Sequence, residues 1–222
     1  MHAKMVVVDR RFVLFGSANL TDRGQTRNIE LALGEPFTAS SLLSFGSRAA
    51  VDQALSRLTR EGAITRITRG VYVRPEVSRF VGAVLPEPLK VVQAMAHEHG
   101  EVVQVHGAEA ARRLALSTQV PTTPVFLTSG PSRHFRIGKL EVVLKNVSAR
   151  KLALAGRPAG VALTALWYLS KEQMTPEVVK TIEAGLAPEE FTALCAAKSQ
   201  MPAWMADTIR RYEMAQGAHP NG

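Results

Sequence analysis

Two kinds of hydrophobic spacing alternate along this chain and predict its helices and strands. Between Arg48 and Glu61, apolar residues recur three or four positions apart, and this spacing predicts a helix whose buried stripe consists of Val51, Ala54, Leu55 and Leu58. Ser47 before this segment and Gly62 after it are residue types that commonly begin and end a helix. The next segment, ITRITRGVYV, alternates apolar and polar positions as a strand does, with Gly70 at the turn between two short strands.

A shorter helix is predicted to precede the long one. Thr38 is suited to cap its start, Leu42 and Leu43 lie within it, and residues 44–46 form a turn. A helix, a turn, a second helix and a basic hairpin are the elements of a winged helix-turn-helix, which the sequence therefore predicts within residues 35–75. A small helical domain with a charged, solvent-facing side would show part of the same pattern, and it remains the alternative interpretation.

The polar positions of this segment indicate a partner. Several of them lie on the side of the predicted long helix that faces away from its apolar stripe, and two lie on the outward side of the hairpin. Side chains of these types suit base edges and phosphates, so we expect them to contact double-stranded DNA. The predicted DNA-binding residues are Arg48, Gln53, Ser56, Arg57, Arg60, Arg66 and Arg69.

Residues 1–34 carry a different set of reactive and polar side chains at fixed spacing. Alternation predicts strands at Met5 to Val8 and Arg11 to Phe15. HxKxxxxD, GSxN and NxE spacings occur in that order, and the residues that they contain are His2, Lys4, Asp9, Ser17, Asn19 and Glu30. This set resembles the HKD motif of the phospholipase D superfamily.

That resemblance implies a phosphodiesterase site. His2 would be the nucleophile, Lys4 and Asn19 would hold the phosphoryl oxygens, and Ser17 and Glu30 would support the site. A site of this family needs two copies of the motif, and the sequence contains one. The fragment is therefore either part of a metal-independent phosphodiesterase or nuclease, or an inactive remnant whose strands pack on the following domain.

The second half of the chain is predicted to form a separate mixed α/β domain. Proline and glycine punctuate residues 76–88, which predicts a linker, with the domain at 89–215 and a frayed tail at 216–222. The predicted order is helix, strand, helix and strand, then a hairpin turned at Gly138 and Lys139, then four helices from Pro158 onward. The fold class is thus α+β: a short β-hairpin-like fragment precedes the winged helix-turn-helix, and a mixed α/β domain with a helical C-terminal part follows it. No spacing in this region indicates a metal site, a cofactor loop or a catalytic constellation.

Composition adds a preference for a polyanionic partner. The formal net charge of the 222 residues is +8, which favours nucleic acid, although a basic surface without a specific partner would give the same number. The single cysteine, Cys195, is typical of a protein from a reducing cytoplasm. We expect no signal peptide and no membrane span, since every apolar run is short and interrupted.

From about Phe37 to Tyr212, the chain resembles the AbiEi-type antitoxin family. The phrases that carry the resemblance are SRAAVDQALSRLTREGAITRITRGVYVRP, HGAEAARRL, PVFLTSGPSR, VSARKLALAGRPAG and MPAWM. The resemblance implies a winged helix that binds inverted repeats in its own promoter, and a second domain that counters a nucleotidyltransferase-type toxin. The leading interpretation is therefore a DNA-binding antitoxin and autorepressor, and the phosphodiesterase is its rival. A third alternative is a protein-interaction module whose basic helix contacts an acidic partner.

Overall fold

A computed structural model describes residues 4–8, 11–15, 31–78 and 82–217 of the chain. The chain divides into two compact units. The first contains the residues up to Gly100 together with Phe135–Leu140, and the second contains Glu101–His134 and Glu141 onward. Helices and strands both contribute to the structure, so the expected α+β class is confirmed at that level.

The first unit contains three small sheets and two α-helices in its described part. Its elements are β1 (Lys4–Val8), β2 (Arg11–Phe15), β3 (Pro36–Thr38), α1 (Arg48–Arg60), β4 (Thr65–Thr68), β5 (Val71–Val73), β6 (Glu76–Ser78), β7 (Gly82–Val84) and α2 (Pro88–His99). A 3-10 helix, Ser40–Phe45, lies between β3 and α1. The pair β1 and β2 is antiparallel with Lys4 opposite Phe15, as the alternation in the sequence predicts.

The central sheet of this unit has the strand order β3-β5-β4, and both pairings are antiparallel. Its core is formed by the predicted stripe of α1, because Val51, Leu55 and Leu58 pack with Ile64 and Leu42 in one apolar cluster. Leu31 and Ala39 belong to the same cluster. The helix therefore buries one side in this core and leaves the opposite side exposed.

The ends of α1 follow the chemistry predicted from the sequence. The Ser47 side chain accepts a hydrogen bond from the Ala50 N–H at 3.3 Å and caps the first turn. At the other end, Gly62 has a φ of +73°, in the left-handed region that glycine adopts without strain. The preceding 3-10 helix differs in detail from the expected α-helix: its N-cap position is Ala39, while the Thr38 hydroxyl accepts from the Ser41 N–H at 3.4 Å.

Helix α2 belongs to this first unit, whereas the sequence pattern predicted it at the start of the second domain. It packs against β3 and β5 and buries Val91, Val92 and Met95. The segment predicted as a linker contains the antiparallel pair β6 and β7. Gly100 ends α2 with a φ of +65°, and the second unit begins at the following residue.

From Glu101 onward the chain forms a four-stranded sheet and a group of helices. The elements are β8 (Val103–Val105), α3 (Gly107–Arg113), β9 (Val125–Thr128), β10 (Arg133–Ile137), β11 (Leu140–Asn146), α4 (Pro158–Tyr168), α5 (Pro176–Ala184), α6 (Pro188–Ala196) and α7 (Ala203–Gly217). All of them belong to the second unit except Phe135–Leu140, the turn of the β10–β11 hairpin and the strand residues beside it. The strand order is β10-β11-β9-β8, with β11 parallel to β9 and β8 antiparallel to β9. Short 3-10 helices occur at Ala149–Leu152 and Ala197–Gln200.

Helix α4 is the centre of the helical part. Seven of its residues are buried, and its strongest packing partners are α3 and α6. Two glycines permit close contacts of α4 with its neighbours. A Cβ on Gly107 of α3 would lie 2.3 Å from the Tyr168 Cβ, and one on Gly160 would lie 2.0 Å from the carbonyl oxygen of Leu154, in the turn before α4. Proline begins α4, α5 and α6, where its missing N–H costs no helical hydrogen bond.

The end of α7 differs from the sequence prediction, because the helix extends to Gly217, into the tail predicted at 216–222. Helix α3 ends at Arg113, and Ala115 beyond it has a φ of +56°. Within the described ranges, the chain contains no helix of the length and apolar character needed to cross a membrane.

Candidate nucleic-acid interface

The exposed side of α1 carries polar and basic residues at helical spacing. Successive residues are rotated by about 100° around a helix, so Gln53, Ser56 and Arg60 form a stripe opposite the buried Val51 and Leu58. All three are exposed. Ala49 continues the stripe towards the start of the helix and has no bulk to prevent a close approach. The face is therefore open to a partner along its whole length.

Arg48 and Arg57 flank this stripe, and each is paired with a carboxylate on its own helix. The Arg48 Nε lies 3.0 Å from an Asp52 oxygen, and the Arg57 Nε lies 3.9 Å from a Glu61 oxygen. These side chains are about half exposed, and exposed pairs of this kind contribute only about 0.5 kcal/mol. The two arginines can therefore exchange their carboxylates for phosphates at little energetic cost.

The hairpin of β4 and β5 adds two exposed cations directly after α1. Arg66 donates to the Thr68 carbonyl at 3.4 Å, and Arg69 lies at the turn beside Gly70, whose φ is +78°. Among the described residues, no carboxylate forms an ion pair with Arg60, Arg66 or Arg69. The structure thus leaves all seven predicted DNA-facing side chains at least partly exposed, on one helix and the hairpin that follows it.

A polar cluster joins β3 and the 3-10 helix to α2. The Ser40 hydroxyl donates to the Glu98 carboxylate of α2, and the Thr38 hydroxyl lies 3.0 Å from the Ser40 hydroxyl. Burial disfavours the charged form of Glu98, but the hydrogen bonds from Ser40 and Thr38 and the positive charge of Arg48 outweigh it and lower the pKa of Glu98. Sequence reasoning missed this cluster, because Glu98 is far from Ser40 along the chain.

The residues of the predicted phosphodiesterase site cannot be assembled from the described chain. His2, Asp9, Ser17, Asn19 and Glu30 lie outside the residues that the structure describes, and Lys4 is the first residue of β1. Their assignment as a site stays a prediction. In the described ranges, no group of three His, Cys, Asp or Glu side chains is arranged to bind a metal ion.

Two polar residues of the second unit have structural roles. His106 accepts a hydrogen bond from the Ala108 N–H through Nδ1, at 3.3 Å, and so caps α3. Burial, together with the charge of Lys145, lowers the pKa of His106. Arg133 of β10 is held by the Glu101 carboxylate through two hydrogen bonds of 2.7 and 2.8 Å.

Comparison with known proteins gives two separate similarities along the chain. Residues 1–34 match the model of the family described as "Cardiolipin synthase, PLD-like domain", in agreement with the phospholipase D resemblance of the motif. The RV2827C protein from Mycobacterium tuberculosis, known from a crystal structure, has 15% sequence identity and a TM-score of 0.40, and the alignment covers 85% of this chain and 78% of that chain. No curated protein matches the chain at a significant level. Residues 30–194 match the family of unknown function DUF6088, and because this match covers most of the chain, the protein belongs to that family.

Proposed function

We propose that this protein is a sequence-specific binder of double-stranded DNA whose residues 35–75 form a winged helix-turn-helix. The observation that carries the proposal is the contrast between the two sides of α1, one buried in the core and the other bearing an exposed stripe with Arg60 at its end. The hairpin of β4 and β5 follows the helix, and β5 pairs back with β3. That order of elements supports the proposal, since it is typical of a winged helix.

Charge distribution supports the same partner. Between Phe37 and Pro75 the chain has six arginines and two carboxylates, and both carboxylates lie beside arginines at the edges of the stripe. In the proposed complex, α1 enters the major groove, where Gln53 and Arg60 suit adenine and guanine edges and Ser56 suits either. Arg48 and Arg57 hold the phosphates beside the groove, and the hairpin arginines reach the backbone or the minor groove.

The biological role that we propose is that of an antitoxin and autorepressor. This role follows from the AbiEi-type resemblance, which implies binding to inverted repeats in the protein's own promoter and functional pairing with a nucleotidyltransferase-type toxin in the cytoplasm. A promoter fused to a reporter tests the first part, since expression should fall when the protein is supplied and recover when Arg60 is replaced. Rescue of growth in cells that express a neighbouring nucleotidyltransferase-like gene tests the second part.

The direct test is a footprint and a binding titration on the upstream promoter at several salt concentrations. The logarithm of the affinity should fall with the logarithm of the salt concentration, by about 0.9 per phosphate contacted. Arg60→Ala should weaken binding to the promoter by about 1 to 3 kcal/mol if Arg60 contacts a guanine, and relax specificity at that base. Arg66→Ala should weaken binding to all duplexes about equally, and should reduce the slope of log affinity against log salt concentration by about 1.

Lys180→Ala is the matched control, because it removes one exposed positive charge from α5, outside the proposed interface. Its affinity for the promoter should equal that of the unmodified protein. Equal affinity of the unmodified protein for the promoter and for random duplex would contradict the proposal. A normal footprint from the double variant Gln53→Ala, Arg60→Ala would also contradict the proposal.

A phosphodiesterase activity is the second candidate, and the match of residues 1–34 to a PLD-like family is the observation that favours it. By resemblance, His2 would attack phosphorus while Lys4 and Asn19 hold the phosphoryl oxygens. The protein should then cleave DNA or a phosphodiester reporter in the presence of a chelator, and His2→Ala should abolish that cleavage. Unchanged hydrolysis by the variant would exclude the motif as the source of the activity.

A further inference from the structure

The second unit contains a surface groove of about 630 Å³ between helix α7 and the segment that follows α4. This volume is in the range of sites for small organic ligands. The residues that line the groove are Lys171, Met174, Trp204, Asp207, Thr208, Arg210, Arg211 and Met214. Nothing in the proposed DNA interface involves these residues, so their chemistry calls for a separate explanation.

One part of the groove is apolar and aromatic. Trp204 packs against the core of the second unit, is partly exposed and lines the groove. Met174 and Met214 line the same groove, the first buried and the second 72% exposed. An indole ring with thioethers beside it offers a flat, polarisable surface, which suits a planar aromatic ligand such as a nucleobase.

The other part of the groove is cationic. Three cations face one carboxylate, and that carboxylate, Asp207, is already paired with Arg210 at 2.5 Å. Arg211 is held by the Asp207 carbonyl and the Thr208 hydroxyl, at 3.4 and 3.3 Å, which orients its guanidinium without neutralising it. Within the described chain no carboxylate forms an ion pair with Lys171 or Arg211. Lys171 and Arg211 therefore line the groove without an ion pair in the described chain, although the charge of Lys171 also acts on the neighbouring Glu172 carboxylate. Two such cations are suited to bind a phosphate group.

We propose that this groove binds a nucleotide unit, with the base on Trp204 and the phosphate between Lys171 and Arg211. An aromatic surface next to cations is the combination by which proteins hold single nucleotides and single strands. A free mononucleotide and one residue of a single-stranded nucleic acid present this same chemistry. The inference concerns the second unit alone and does not depend on the DNA interface proposed for α1.

The test is a titration of the full-length protein with AMP, followed by tryptophan fluorescence and calorimetry. AMP should quench the fluorescence saturably, while adenosine and inorganic phosphate should each bind far more weakly, because each supplies half of the contacts. Lys171→Ala and Arg211→Ala should weaken AMP binding at least about ten-fold, as expected for the loss of a charge-assisted contact. Lys180→Ala, an exposed lysine outside the groove, should bind AMP as the unmodified protein does. Trp204→Leu should weaken binding about five-fold or more through lost stacking.

A short single-stranded oligodeoxyadenylate distinguishes the two sources of the nucleotide. If the oligonucleotide binds more tightly than AMP and Lys171→Ala abolishes that binding, the ligand is a single strand. If AMP binds more tightly than the oligonucleotide, the ligand is a free nucleotide. The proposal is overturned if neither probe gives a saturable response, or if Lys171→Ala and Arg211→Ala bind both probes normally. Arg60→Ala should leave the response to AMP unchanged, and the groove variants should leave the promoter footprint unchanged, so either proposal can fail without the other.

Discussion

Replacement of Gly160 by alanine should destabilise the second unit, although alanine is the better helix former. Gly160 lies in the first turn of α4, where a Cβ would be 2.0 Å from the carbonyl oxygen of Leu154 and 2.5 Å from its carbonyl carbon. Backbone atoms have no rotamer by which they can move away. Leu154 itself has a φ of +61°, which a residue other than glycine adopts only when the surrounding structure holds it there.

Two opposing terms determine the size of the effect. Glycine to alanine inside a helix gains about 1 kcal/mol from the lower conformational freedom of the unfolded chain. To bring the new contact from 2.0 to 3.0 Å, the start of α4 and the Leu154 turn must separate by about 1 Å in a tightly packed core. Overpacking of this kind costs about 1 to 3 kcal/mol, and because the obstacle is backbone we take about 3. The net loss is therefore about 2 kcal/mol, or about 4 to 8 °C in Tm for a chain of this length.

Thermal and urea unfolding followed by circular dichroism measure this loss. Gly185→Ala is the control, because Gly185 has a φ of −93°, and a Cβ added there would lie 3.5 Å from the nearest atom, the Thr181 carbonyl oxygen, which is an ordinary contact. That variant should unfold at the same temperature as the unmodified protein or slightly above it. A Gly160→Ala protein that melts at or above the unmodified protein would refute the packing of α4 against the Leu154 turn.

Two further perturbations probe ion pairs of the second unit. Arg133→Ala removes two hydrogen bonds from the Glu101 carboxylate, whose side chain is 10% exposed, and should lower the free energy of unfolding in urea by about 2 to 3 kcal/mol. Arg133→Lys should restore only part of that stability. An unchanged free energy of unfolding for Arg133→Ala would show that the pair does not stabilise the fold. The hydrogen bonds and charges of Arg112 and Arg113 lower the pKa of Glu109 to about 2. The contribution of Glu109 to the stability of the folded state is therefore fully present above about pH 4.5 and is lost as the pH falls towards 2. The difference in unfolding midpoint between the unmodified protein and Glu109→Gln should therefore shrink over that pH range, and a constant difference would contradict the assigned pKa.

Local features of the first unit were predictable because they depend on neighbouring residues. The bounds of α1 agree with the sequence prediction to within one residue, and its four buried positions are those of the predicted stripe. Ser47 caps the helix, and Gly62, Gly70 and Gly138 have the positive φ that their turns require. The exposure of the predicted DNA-binding side chains on α1 follows from the same periodicity, since a residue opposite a buried stripe must face outward.

Contacts between distant segments were not predictable in this way. The sequence predicts a helix at the position of α2 but does not say which core it joins, and the proline and glycine content of residues 76–88 predicts a linker before this helix. The structure packs α2 on β3 and β5 and joins Glu98 to Ser40. It likewise places Trp204 both against the core of the second unit and in the lining of a groove.

The sequence by itself determined the helices, strands, turns and charged faces of this protein, because these follow from spacing, capping and backbone preference within a few residues. It also carried the similarity of residues 1–34 to a PLD-like domain. Only the tertiary structure decided which helix completes which core, which arginines are held by carboxylates, and which cations gather beside Trp204. Those outcomes depend on the packing of segments that are far apart in sequence, and each is selected by burial and charge compensation over the whole unit.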